Sequence, residues 1–571
     1  MGTPGDNQSN PKAPDRDKLY TRWGALKSER ASWWAHWKEI SDYLLPRSGR
    51  FFVQDRDKGW RRHNNIYDST GTQSLRVLAA GMMSGMTSPA RPWFRLSAPH
   101  PELNQSHAVK VWLNQVQRMM LEIFQRSNTY RALHQMYEEI GAFGTSASII
   151  LPDYKNVIHH YTLTCGEYAI ATNWKGEVDT LYREFQKTVG EIVTEFGYEN
   201  CSLTVRNMFD RGSLDQWVTI IHAIEPRTAR DHKKQDAKNM AWKSVYFELG
   251  ADKDKYLRES GFRRFPAVVP RWGVTGGDIY GNSPGMEALG DIKQLQHEQL
   301  RKAQGIDYKT KPPLQVPISM KNRDVEALPG GISFVDMSSQ HSGIKTAFEV
   351  NLDLSHLLAD IQDVRGRIKT SFYADLFLML ANQTDARMTA TEVAERHEEK
   401  LLMLGPVLER LQNELLDPLI EMTFDRMVEA GIVPPPPEEL AGMELNVEYV
   451  SMLAQAQRAI GTNGIDRFVG TMGQVAQLKP DVLDKFNSDK WVDTYADMLG
   501  VDPELLLPSD VVQDLRDQRA QAQQQANQMA QAQQATQTAA NMSNINTTGQ
   551  NGLTDMMNMF SGYGSPSPVE V

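Results

Sequence analysis

Cysteine is almost missing from this sequence: its 571 residues include Cys165 and Cys201 and no others. Two thiols cannot build a disulfide framework or a four-cysteine zinc knuckle, and their scarcity suits synthesis in a reducing compartment. Long apolar runs are missing too. The longest weakly polar stretch lies between Arg76 and Arg91, well short of the roughly 20 residues needed to cross a bilayer. Membrane insertion is therefore not expected, and Gly81-x-x-x-Gly85 does not read as a membrane dimer motif. The opening M-G-T-P-G-D-N-Q-S-N-P-K has no apolar segment of a secretory signal, so secretion is not expected either. Positive charge is not in excess: 61 basic against 71 acidic residues give a net charge of -10. That balance argues against tight non-specific binding of nucleic acid by the chain as a whole, though not against a protein that DNA slides past.

The motifs of common chemistry are also lacking. There is no G-x-x-x-x-G-K-[ST] phosphate loop and no Gly-rich dinucleotide turn, so ATP hydrolysis is not expected here. His397, Glu398 and Glu399 lack the second histidine of a zincin helix, because Leu401 stands in its place. His159, His160 and Cys165 could make a metal corner, but no fourth ligand stands at matching spacing. Gly281-Asn282-Ser283-Pro284-Gly285 fits the G-x-S-x-G nucleophile elbow in form. The mechanism fails at Pro284, which has no N–H to donate to an oxyanion. Ser283 as helix N-cap and Pro284 as first helical residue explain the same five residues. No helix-turn-helix, RNP or zinc-finger pattern is present, so any DNA contact is expected to be without sequence specificity. Neither a cofactor nor a metal is expected.

What is present is a soluble globular composition, 40% hydrophobic and 23% charged, long enough for roughly three or four units. The stretch from Tyr67 to Leu96 opens with turn and capping residues and continues as a helix of little bulk, ending before Pro89 and Pro92. Its Gly81 and Gly85 lower helix stability, by about 1 kcal/mol each relative to Ala, and permit close approach of a neighbour. Residues 1–16 read as disordered. Trp33, Trp37, Ile40 and Leu44 mark an amphipathic helix, Val109 to Ile123 a second, and Tyr130 to Phe143 a third. From Ser146 to Trp272 short β-branched and aromatic runs predict a mostly β region, with one helix near Gly190–Phe196. A helix starts at Ser283 and Pro284 and is expected to end by Gly305, followed by a hairpin-like excursion of about forty-five residues. A second long helix starts near Asp353 and is interrupted at A-N-Q-T-D-A-R. Thr389 and Glu392 have capping-box spacing and open a helix to Ala430, in which Pro406 should make a kink. Pro434 to Pro437 is a stiff break before a smaller helical region.

Eleven glutamines, interleaved with alanine, lie between Gln513 and Gln537. The seam Val512, Leu515, Ala522, Ala526 and Met529 is too slight to stabilise a lone helix, so parallel partners in a ring, or else disorder, are expected. Basic residues cluster at Arg301, Lys302, Lys309 and Lys311, and again at Arg365, Arg367 and Lys369. They flank the two long helices. A solvated face and a face lining a narrow channel both fit them.

Three segments, Y-D-S-T-G-T-Q-S-L-R-V-L-A-A-G-M-M-S-G-M-T-S-P-A-R-P-W-F, P-R-W-G-V-T-G-G-D-I-Y-G-N-S-P-G-M-E-A-L-G-D-I-K and R-M-T-A-T-E-V-A-E-R with its following L-G-P-V-L-E-R-L-Q-N-E-L-L-D-P-L-I, occur in that order. With them the chain resembles the head-to-tail connector, or portal, proteins of short-tailed phages. The resemblance implies an α+β, mainly α, fold with wing, stem, clip and crown plus a C-terminal helical barrel segment. It divides the chain into a wing at 17–282, a first stem helix at 283–305 and a clip at 306–350. A second stem helix at 351–380, a tunnel loop at 381–388 and a kinked wing helix at 389–430 follow. A crown at 431–508, a Gln/Ala-rich barrel at 509–540 and a flexible tail at 541–571 complete it. It further implies a homo-oligomeric ring, usually a dodecamer, at one capsid vertex of the virion, assembled in the host cytoplasm and without catalysis. Double-stranded DNA would pass through the ring. Terminase large subunit, tail adaptor or nozzle proteins, and major capsid and scaffolding proteins would be its partners. The channel candidates are Asn382, Gln383, Thr384, Asp385 and Arg387 in the loop, with Arg301, Lys302, Lys309, Arg365, Arg367 and Lys369 on the stem. Two other classes stay open on the residues alone: a coiled-coil scaffold or adaptor using the Gln/Ala helix, and a serine hydrolase at Ser283.

Overall fold

A computed structural model describes residues 16–51, 64–100, 106–231, 236–250, 256–315, 355–381, 404–440, 445–450, 469–474, 486–492 and 509–543, with isolated positions between them. The chain forms two compact units, residues 1–487 and 488–571.

The first unit begins with α1 (Arg16–Tyr43), whose Leu19, Trp23 and Leu26 lie buried on the five-stranded sheet described below. Farther along, Trp37 and Ile40 enter the main core, and the Trp37 indole donates to the Phe143 carbonyl at 3.2 Å. Next come α2 (Thr70–Met86), β1 (Phe94–Ser97), α3 (His107–Arg126) and α4 (Thr129–Phe143). Helix α4 stops at Gly144, whose φ of +77° only glycine adopts readily. A side chain there would also strike the Gly281 carbonyl oxygen, so this turn is packed against the start of a later helix. Glu139, fully buried in α4, accepts from the Thr164 hydroxyl at 2.7 Å and the Cys165 N–H at 3.1 Å. Burial pushes its pKa up to about 7, against the hydrogen bonds from Thr164, Cys165 and Ser48.

The β region contains two sheets. Strands β2 (Ala147–Asp153) and β3 (Val157–Leu163) pair with β9 (Ala267–Val268) in the order β3-β2-β9. Strands β4 (Tyr168–Thr172), β5 (Val178–Thr188), β6 (Trp217–Pro226), β7 (Trp242–Glu248) and β8 (Arg258–Phe262) form an antiparallel meander. Alternation gives this sheet two apolar faces. Ala169, Tyr182, Ile221, Val245 and Phe247 meet α1, while Phe185 and Ile220 meet α5 (Val189–Phe196) and α6 (Leu203–Asp210). The expected helix near Gly190 is α5, closed by a capping box of Thr188 and Glu191. Helix α6, capped by Ser202, has no counterpart in the sequence reading.

Helices α7 (Pro284–Glu287) and α8 (Leu289–Thr310) follow, separated by Ala288. The helix expected to end by Gly305 continues for another turn to Thr310. Its Thr310 hydroxyl donates to the Ile306 carbonyl at 2.9 Å, and Lys311, just before Pro312, leaves helical geometry. Strands β10 (Leu314–Gln315) and β11 (Lys345–Thr346) pair antiparallel, closing the expected hairpin-like excursion. The second long helix divides into α9 (Ser355–Ser371) and α10 (Ala374–Ala381) at Tyr373, whose φ is +53°. Residues 404–411 are α-helical (α11), and Gln412–Leu416 widen into a π turn before α12 (Asp417–Glu429). Pro406 lies in α11; the described departure from α geometry is the π turn. Strand β12 (Asn446–Tyr449) then pairs antiparallel with β1.

In the second unit, α13 (Ser509–Ser543) includes the whole Gln/Ala tract. Arg516 makes two hydrogen bonds to Asp489, at 2.5 and 2.7 Å. The N-terminal residues 1–15, the capping pair Thr389 and Glu392, most of the expected crown at 431–508 and residues 544–571 lie outside the described residues.

Candidate functional site

Helices α8 and α9 are antiparallel neighbours, because positions rising along one meet positions falling along the other. Asp291 pairs with Arg367 at 3.3 Å, and farther along the carboxyl groups of Glu298 and Asp360 are neighbours. Their apolar faces, Leu289, Ile292 and Leu295 against Ile361, Val364 and Ile368, belong to the main core. At their ends the helices lose that cover, and Ile306, Tyr308 and Leu358 are exposed.

Asp68, just ahead of α2, ties this pair to the rest of the unit. Its Oδ2 accepts from Arg365 Nε at 3.1 Å, Arg365 Nη2 at 2.7 Å and Gln299 Nε2 at 3.0 Å. Gln296 Oε1 accepts from the N–H groups of Tyr67 and Asp68 at 2.6 and 2.8 Å, and its Nε2 donates to the Asp68 carbonyl at 2.9 Å. Burial works to raise the Asp68 pKa, but the hydrogen bonds from Thr70 and Arg365 prevail and hold it below the usual carboxylate range. Neither Asp68 nor Gln296 was singled out in the sequence, and Gln299 only as one position on a helix face; the D-S-T-G cap before a low-bulk helix was the available signal.

The basic residues of the two clusters differ in their commitments. Arg365 is bound to Asp68, and Arg367 faces Asp291 and Asp363. Arg301 is exposed, with its guanidinium near His297 and Gln304. Lys309 and Lys369 are exposed and Lys302 is half-buried. Asn382, Gln383, Thr384, Asp385 and Arg387 lie outside the described residues.

The low-bulk helix α2 has its neighbour in the same chain. A Cβ placed on Gly81 would lie 2.6 Å from the Phe377 Cβ in α10, and closer still to the ring. The small face thus receives the helix that follows the α8–α9 pair. Gly85 is buried in α2 as well.

Ser283 is 1% exposed. Its hydroxyl donates to the Ala142 carbonyl at 2.7 Å and accepts from the Met286 N–H at 3.0 Å. The accepted bond caps α7 and the donated one ties it to the end of α4, so the hydroxyl proton faces a backbone carbonyl and no base. His160 and Cys165 are buried, and among the described residues no group of three or more His, Cys, Asp or Glu could hold a metal. A groove of about 420 Å³ between β8 and α12 includes Arg263, Arg264 and Arg426, each paired with a carboxylate. No described helix is long and apolar enough to cross a membrane.

The polar contacts described fasten helices to one another, and no reaction centre lies among the described residues. The family model for bacteriophage head to tail connecting protein matches residues 16–507. The chain is 67% identical over 549 residues to a "Probable portal protein" of Bordetella phage BPP-1, covering 96% of this chain and 99% of that one. It is 46% identical over 505 residues to the "Portal protein" of Salmonella phage epsilon15, covering 88% and 91%. Among solved structures, a chain from the neck of an empty gene transfer agent particle is similar at 12% identity and a TM-score of 0.34, covering 79% of this chain and 96% of that one. On the extent of the family match and the identity to these two relatives, the chain belongs to the bacteriophage head-to-tail connecting proteins.

Proposed function

We propose that this protein assembles as a ring, usually of twelve copies, at one capsid vertex of a short-tailed phage. The ring is the conduit for genome packaging and ejection and the docking site for terminase and tail adaptors. The observation that carries this reading is the family match along residues 16–507, which takes in α1 through β12 and both long helices. The antiparallel α8–α9 pair supports their assignment as the stem, with the chain between them as the clip and residues 381–388 as the tunnel loop. The Gln/Ala helix α13 has a continuous row of exposed positions and supports a barrel of parallel copies.

Charge supports passage in preference to grip. Twelve copies would carry about -120 in all, so the walls repel DNA and local basic spots, Arg301, Lys302, Lys309 and Lys369 among them, steer it. Arg365 and Arg367 reach DNA in this reading only by exchanging their carboxylates for phosphates.

Negative-stain imaging of the purified protein tests the reading. Rings with a central hole seen end on are expected; compact monomers at high concentration would refute it.

A further inference from the structure

One cross-strand row of the five-stranded sheet is polar where its neighbours are apolar. Arg183 on β5 stands opposite His222 on β6, His222 opposite Tyr246 on β7, and Tyr246 opposite Arg258 on β8. Directly paired residues share one face of a sheet. On one side of this row lie Leu181 and Ile224 of the main core, on the other Phe185 and Ile220 of the α5–α6 cluster. The row therefore divides two apolar bodies.

Its members are stacked. The Arg183 guanidinium lies between the rings of Tyr161 and Phe185, 4.3 and 4.5 Å from their centroids. The His222 ring lies on Tyr246 at 3.8 Å and 8°, with Arg258 over Tyr246 at 4.7 Å. Aromatic faces compensate part of the cost of burying a guanidinium, but they leave its N–H groups unmet. Arg183 is 5% exposed and His222 1%. Nε and Nη1 of Arg183 and Nδ1 of His222 have no hydrogen-bond partner, while His222 Nε2 meets the Ser244 hydroxyl at 2.8 Å. The acidic residues next to the row are engaged elsewhere: Glu184 with Lys27, Glu259 with Arg227, Glu248 with Ser202. Two guanidinium charges thus flank a neutral imidazole, and no carboxylate is paired with either among the described residues. Burial and the charges of Arg183 and Arg258 hold the His222 pKa well below its usual value.

We propose that a free inorganic oxyanion, phosphate or sulfate, is held in this row, accepting from the unmet Arg183 N–H groups and from His222 Nδ1–H. A water molecule would supply acceptors but leave the charge uncompensated, and an uncompensated buried charge is the costlier fault. Arg258 is exposed to solvent, but Arg183 and His222 are covered too deeply for a duplex phosphate to reach, which leaves the free ion. Its role is to fasten the main core to the α5–α6 body.

The test uses the full-length protein freed of phosphate and sulfate. Added inorganic phosphate should raise the melting temperature saturably, by about 2–5 °C at 100 times its dissociation constant, relative to sodium chloride of equal ionic strength. Arg183→Met, which keeps the stem between the two rings but removes the donors, should abolish that rise. Equilibrium dialysis of the wild type with radiolabelled phosphate should find one ion per chain, not displaced by a short DNA duplex. Binding of no phosphate, an unchanged rise in Arg183→Met, or displacement by DNA would each overturn the proposal. Dialysis decides the matter should the variant fail to fold.

Discussion

Placing a methyl group on Gly81 tests the contact between α2 and α10. In an open helix Gly→Ala gains about 1 kcal/mol. Here the added Cβ would lie 2.6 Å from the Phe377 Cβ, where ordinary contact begins at 3.4 Å. Because one of the opposing atoms is the Cβ of Phe377, turning the ring cannot relieve the overlap, and the α10 backbone must withdraw by nearly an ångström. Phe377 is 5% exposed and packed in the main core, so the displacement is transmitted to its neighbours. Overpacking of this kind costs about 1–3 kcal/mol, and the upper end applies when backbone moves. Set against the gain in propensity, Gly81→Ala should destabilise the protein by about 2 kcal/mol. Gly81→Leu should impair folding or ring assembly outright. The assays are urea unfolding and ring yield in negative stain. Phe377→Gly, which removes the opposing Cβ as well as the ring, should cost about 4 kcal/mol or more alone, yet in that background Gly81→Ala should cost at least about 1 kcal/mol less than in the wild type. A Gly81→Ala protein as stable as wild type, or strict additivity with Phe377→Gly, would refute the reasoning.

Four further outcomes are expected. The folded-state pKa of Glu139, about 7, lies above its unfolded value of about 4.5, so its contribution is full below that unfolded value and falls away as pH rises through 7, by on the order of 3 kcal/mol. Glu139→Gln should flatten stability between pH 5 and 8 in urea titrations, and an unchanged slope would dismiss Glu139 as its source. Asp68 has the opposite sign: its lowered pKa gives stability that is present above about pH 4 and lost on further acidification. Arg365→Ala should destabilise by only about 1–2 kcal/mol in thermal unfolding, since Arg365 is partly exposed and Asp68 keeps Thr70 and Gln299. Truncation after Pro508 should leave rings intact in negative stain; loss of oligomers would favour the coiled-coil scaffold. Duplex DNA should bind the isolated ring weakly at physiological salt, and nanomolar affinity in a filter assay would contradict an acidic conduit.

Local chemistry made several parts legible from the sequence. Ser283 and Pro284 announced the start of α7, and the β-branched runs after Ser146 announced the sheets. The Gln/Ala tract, legible either as a helix needing partners or as disorder, is the helix α13. What the sequence withheld were choices decided by distant residues. Gly305 reads as a helix end, but the turn beyond it holds until Pro312 intervenes. Tyr373 interrupts a seam whose apolar period continues on both sides, because helical periodicity does not register a single positive φ. The partner of Gly81 is nearly 300 positions away, and no spacing rule reaches it. Basic Arg365 and Arg367 looked uncommitted in the sequence; only folding brings Asp68 and Asp291 to them. The Asp363–Arg367 spacing of four was the one part of that network visible beforehand.

The pairing of β1 with β12 bears on how the chain is made. Phe94 is wholly buried in the finished protein, and Trp93 accepts from the Val450 N–H at 3.1 Å. Yet about 350 residues separate the two strands in sequence, and at a synthesis rate of about 5–20 residues per second β1 leaves the ribosome roughly 20–70 s before its partner exists. During that interval an apolar strand has an unpaired edge, the kind of segment that chaperones cover and that aggregates when they are scarce. Slower translation lengthens that interval in proportion.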